Sequence, residues 1–82
     1  MPTYLVESYL PAQPSLLADA RRRARRAAEL GVGVRYVRTT FLPGDETCFH
    51  LFEAPSSTVL AEAARLAMLG HVRIVEAVEA SP

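Results

Sequence analysis

An antiparallel α+β domain is predicted by three features of this 82-residue chain. Four segments alternate from residue to residue as strands do, and two others repeat their apolar residues at helical spacing, in the order β-α-β-β-α-β. The second and third strand segments are separated only by Pro43-Gly44-Asp45, a turn short enough to force a hairpin. Half of the residues are apolar, too many for a disordered chain and sufficient for one core over residues 1–82.

The first strand is read over residues 3–10, with Tyr4, Val6 and Ser8 on one face and Leu5, Glu7 and Tyr9 on the other. Pro11 removes a backbone donor and ends it. Pro14 and Ser15 then start a helix over residues 16–30, with Ser15 as its expected cap and Gly31 as its stop. Leu17, Ala20, Ala24, Ala27 and Leu30 form its apolar stripe. Residues 32–41 are rich in β-branched and aromatic side chains and make the second strand. Strict alternation puts Val34, Tyr36, Arg38 and Thr40 on one face, and Arg35, Val37, Thr39 and Phe41 on the other. The hairpin returns through the third strand, with Cys48, His50 and Phe52 on one face and Thr47, Phe49 and Leu51 on the other. Pro55 breaks that strand, and Ser56 or Ser57 caps a second helix to about residue 69. Its apolar stripe is Val59, Ala63 and Leu66 or Ala67, and Gly70 closes it. Residues 72–78 form the last strand, before a frayed Ser81-Pro82 tail.

This order is the ferredoxin-like split motif. Its right-handed crossovers place both helices on one face of a four-stranded antiparallel sheet, with strand order 4-1-3-2. The other face has no cover within the chain, so a second copy is expected there, giving a dimeric α+β barrel.

Nine acidic residues balance nine basic ones, and every basic residue is arginine. Arg21, Arg22, Arg23, Arg25 and Arg26 cluster on the first helix. The domain as a whole is not basic, so solvated arginines paired with Asp19 and Glu29 are expected rather than a nucleic-acid partner. One cysteine excludes an internal disulfide framework. No signal-peptide pattern opens the chain and no apolar run approaches the ~18 residues of a membrane span, so a soluble cytoplasmic protein is expected.

Chemistry-bearing side chains concentrate on the strands. If Glu7 shares a face with His50 and Glu76, two carboxylates and an imidazole form a polar island on an apolar floor, ringed by Tyr36, Arg38 and Cys48. Such a group is costly to bury unless its members pair or hold a ligand. Three chemistries fit that island. Cys48 and His50 stand two residues apart on one strand face and can reach one divalent metal, with Glu7 or Glu76 adding oxygen. Glu7, His50 and Glu76 can instead exchange protons with a small substrate. A cysteine nucleophile with a histidine base ranks last, because no third residue orients the pair. His71, just after Gly70, reads as a surface or capping residue.

The segments YLVESYLP, VRYVRTTFLPGDETCFHLFEAPS and RIVEAVE resemble a bacterial family of small ferredoxin-like proteins catalogued as a domain of unknown function. The run from Phe49 to Ser56 is the most specific part. Some members are described as nickel-binding, and many carry cysteine where this chain has His50. The resemblance implies a dimer and a divalent metal such as nickel. In build the chain is also similar to small actinobacterial cyclases and cofactor-free oxygenases. Two functions are therefore expected. One is a small binding protein that holds a metal or small ligand on a Glu- and His-lined sheet face. The other is a small cyclase, isomerase or oxygenase, without bound organic cofactor, that uses the same residues.

Overall fold

The computed structural model describes residues 1–80; the tail expected at Ser81-Pro82 lies outside them. It consists of β1 (Thr3–Tyr9), α1 (Pro14–Leu30), β2 (Arg35–Leu42), β3 (Thr47–Glu53), α2 (Ser57–Leu66) and β4 (Arg73–Ala77). All neighbouring strands are antiparallel, in the order β2-β3-β1-β4, the predicted order read from the other edge. The ferredoxin-like arrangement is therefore the fold of this chain. Both helices cover one sheet face, where Ala24 and Ala27 of α1 and Leu60 and Ala63 of α2 share a core with Tyr4, Val6 and Phe52. Phe52, Leu60 and Val6 are fully buried, each worth about 1.5–3 kcal/mol of transfer free energy.

Small side chains set the spacing between the helices and the turn that follows α1. A Cβ on Gly31 would lie 2.5 Å from Val34 Cγ2 and 2.8 Å from the Ala63 Cβ, so this position is closed to any larger residue. The chain turns at Gly31, with Val34 N–H donating to the Gly31 carbonyl, and Gly33 takes a positive φ of 77°. That turn delays β2 to Arg35, three residues beyond the predicted start, and leaves Val32 exposed.

Other boundaries also move for local reasons. Pro14 takes the first position of α1, where its missing N–H costs nothing, so Gln13 and not Ser15 is the cap residue, without a side-chain bond. Ser56 caps α2 by accepting from the Val59 N–H. The helix stops at Leu66 rather than near residue 69, and Gly70 is not the stop. Met68 adopts the left-handed conformation at φ 61°. Leu69 N–H donates to Ala64 O and Met68 N–H to Arg65 O, the paired bonds that close a helix C-terminus, with methionine where glycine is usual. Ala67 is consequently buried and Leu66 half exposed, and Leu30 of α1 also faces outward.

Glu46 ties the hairpin to the β1–α1 connection. Its carboxylate accepts from the Tyr9 hydroxyl at 3.2 Å and the Ala12 N–H at 2.8 Å, and its carbonyl accepts from the Leu10 N–H. The arginines of α1 pair as expected, Arg22 and Arg23 with Asp19 and Arg26 with Glu29, all at the exposed surface. Among the described residues, no helix is long and apolar enough to cross a membrane.

Candidate functional site

The register of β1 against β3 decides where every candidate side chain goes. Val6 pairs with His50 and Glu7 with Phe49, while Val6 also pairs with Ile74 and Glu7 with Arg73 of β4. His50 therefore lies on the helix-covered face with Tyr4, Val6, Cys48 and Phe52, and Glu7 lies on the open face. The expected Glu7–His50–Glu76 island is not assembled. Glu7 stands on the far side of the sheet, bonded to Arg73 at 3.4 Å. Glu76 pairs with Tyr4 on the edge strand β4, where it is exposed. The physical reason is the cost of a carboxylate under two helices: the charged parity of β1 belongs on the face without cover.

What surrounds His50 instead is a hydroxyl array. The pairing of β2 with β3 slips between Tyr36 and Arg38, a β-bulge that inserts one extra residue. Alternation alone puts Tyr36 and Thr39 on opposite faces, but the bulge returns both to the His50 side. Tyr36 Oη and Thr39 Oγ1 are 2.5 Å apart, and Thr39 Oγ1 lies 2.7 Å from His50 Nδ1. On the other side of the ring, Cys48 Sγ is 3.7 Å from His50 Nε2. Aromatic edges enclose the imidazole, with the Tyr36 and Phe52 ring centroids each 6.4 Å away.

His50 has no solvent exposure, and burial lowers its pKa to about 4, so it is neutral at neutral pH. Burial likewise pushes the Cys48 thiol up and keeps it protonated. Both groups are satisfied internally, and among the described residues no buried side-chain nitrogen or oxygen lacks a partner.

The array opens at one end. Along the edge of β2, Leu17 and Arg21 of α1 face Tyr36, Val37, Arg38, Thr39 and Phe41 across a cleft of about 360 Å³. Tyr36 and Arg38 were expected at a ligand site and line this cleft; Cys48 lies two groups further in. Thr39, which joins the cleft to His50, was not foreseen, and only recognition of the bulge would have revealed it. A larger depression of about 730 Å³ lies between the end of β1 and the α2–β4 connection. Its charged residues are already engaged, Arg23 with Asp19 and Arg73 with Glu7, and His71 is exposed at its rim.

The metal reading fails on its donor set. Cys48 Sγ and His50 Nε2 are 3.7 Å apart, close to the roughly 3.5 Å that two ligands of one tetrahedral ion span. Glu7, which was to complete the set, lies on the opposite face, and Glu76, although on the parity of the His50 face, is exposed on the edge strand β4. Among the described residues, no group of three or more His, Cys, Asp or Glu is placed to hold an ion. The residues present do not fit a nickel centre within one chain.

No protein-family model matches the chain, and no curated protein matches it. Among solved structures it is similar to SCO4226 from Streptomyces coelicolor A3(2), with a TM-score of 0.76 over 96% of this chain and 99% of that one. Identity between the two is 17%, which carries the fold and nothing finer.

Proposed function

We propose that this chain is a small-molecule binding protein whose site is the cleft between α1 and β2. The observation that supports this reading is the Tyr36–Thr39–His50 array, which runs from the cleft floor to a fully buried neutral imidazole. A polar path of this kind is costly to maintain in so small a core, and at its outer end it offers an orienting group to a ligand. The binding role is preferred to acid–base catalysis because His50 has no exposure and touches a ligand only through Thr39 and Tyr36. The test is an NMR screen with small organic fragments. Saturable shifts at Tyr36, Thr39 and Leu17 that vanish in Leu17→Arg support the cleft; shifts confined to other regions, or none, reject it.

A second copy is proposed to cover the open sheet face, as the family resemblance also implies. Leu5, Phe49, Leu51 and Val75 lie at its centre, while Arg35–Glu53, Glu7–Arg73 and Arg38–Glu79 ion pairs stand around them. An apolar centre with a rim of both charge signs suits an isologous contact between identical surfaces. Light scattering is expected to return twice the mass of the 9.0 kDa chain, and Phe49→Glu to return the single mass. A wild-type monomer at micromolar concentration rejects the dimer.

A further inference from the structure

We infer that the ligand of the α1–β2 cleft is a small carboxylic acid bound as its anion, and that binding it reverses the hydrogen-bond direction of the Tyr36–Thr39–His50 array. This rests on the cleft reading above.

The charge of the lining points to an anion. Arg21 of α1 lines the cleft, and among the described residues no carboxylate does. Arg21 makes no ion pair among the described residues, whereas Arg38, in register with Leu51, belongs to the open face and meets Glu79 there at 3.9 Å. One guanidinium without an internal partner is thus available to an anion, in a protein whose formal net charge is zero. Leu17, Val37 and Phe41 supply apolar walls, which suit a carboxylate carrying a hydrocarbon body rather than a bare inorganic anion.

The array supplies a second donor, through proton counting. Tyr36 and Thr39 each hold one hydroxyl proton, and neutral His50 holds one on either nitrogen. In the inward arrangement Tyr36 donates to Thr39, Thr39 donates to Nδ1, and the Nε2 proton points at Cys48 Sγ. In the outward arrangement His50 donates from Nδ1 to Thr39, and Thr39 donates to the Tyr36 oxygen. The Tyr36 proton is then free to enter the cleft, and Nε2 accepts from the Cys48 thiol. Every group keeps a partner in both arrangements, so neither is penalised by an orphaned polar atom. A carboxylate at Tyr36 accepts a hydrogen bond and cannot donate one, so it selects the outward arrangement. His50 is then a positioning residue that never touches the ligand.

The test uses the full chain with nitrogen-15 histidine at neutral pH, where ring-nitrogen shifts report the tautomer directly. Benzoate and hexanoate are the carboxylate probes, benzamide the neutral isostere and inorganic phosphate the anion without an apolar body. Saturable binding of both carboxylates, with His50 moving to the Nδ1-protonated tautomer, is expected. Benzamide and phosphate should bind at least about tenfold more weakly, the equivalent of one charge-assisted hydrogen bond, and change the tautomer only in proportion to their lower occupancy. Tyr36→Phe keeps the ring that packs on Phe52 at 5.6 Å, and should weaken benzoate and abolish the tautomer change. Benzoate binding with no change of tautomer, or phosphate binding as tightly as benzoate, overturns the inference. Equal binding of benzamide and benzoate in the cleft overturns it while leaving the cleft reading intact. No binding of any probe, together with a blank fragment screen, removes both.

Discussion

Protonation of His50 should be the step by which mild acid weakens this fold. The unfolded imidazole takes a proton near pH 6.5, whereas the buried one resists until about pH 4. Above pH 6.5 neither state is protonated and His50 contributes no pH dependence. As the pH falls through the window between these values, the unfolded chain binds the proton first, so unfolding becomes progressively easier. Below about pH 4 both states carry the proton and the loss is complete. The window is about 2.5 pH units wide, and at about 1.4 kcal/mol per unit the fold loses about 3 kcal/mol across it. A domain of this size has roughly 4–12 kcal/mol to lose, so the effect is large. Urea unfolding at steps from pH 7.5 down to 3.5 measures it, with His50→Asn as the reference. Asparagine keeps a polar atom near Thr39 and does not titrate. The variant will be less stable at every pH, so the informative quantity is the wild-type minus variant difference, which cancels the carboxylates common to both. A difference that declines by about 3 kcal/mol between pH 6.5 and 4 is expected. Parallel curves would falsify the buried neutral imidazole.

Three further outcomes follow from local geometry. Gly31→Ala should cost about 1–3 kcal/mol in urea unfolding, because the new Cβ overlaps Val34 and Ala63, both in the core. Met68→Gly should raise stability by about 0.5–1 kcal/mol in the same measurement, since glycine holds φ 61° without the side-chain clash; a loss would mean that the methionine packs usefully despite being 69% exposed. The buried, protonated Cys48 should be inert to a disulfide reagent in the native protein and react at the rate of global opening, slowing as the fold is stabilised; rapid native labelling would contradict its burial.

Much of the architecture was legible from residue pattern alone. Alternation, helical spacing and the Pro43-Gly44 turn sufficed for the element order, because each depends on near neighbours in the chain, and the right-handed crossover rule then carried the strand order and the single helix-covered face. The pairings of Asp19 and Glu29 with the α1 arginines were readable for the same reason. The site was not. Alternation fixes which residues share a face within one strand, but β1 and β3 are joined through a helix and another strand. Their relative parity is therefore set by the core, and a shift of one residue moves Glu7 from beside His50 to the opposite face. The charge of Glu7 was the available clue, since the covered face has no partner to offer it. Within β2 the bulge broke alternation itself, so Tyr36 and Thr39 met only through a backbone irregularity absent from any local pattern. The sequence by itself determined the sheet, the helices and the presence of one histidine beside one cysteine on a strand face. Only the tertiary structure decided that this histidine would be buried, neutral and linked through two hydroxyls to a cleft, because burial and cross-strand register arise from packing elements distant in the chain.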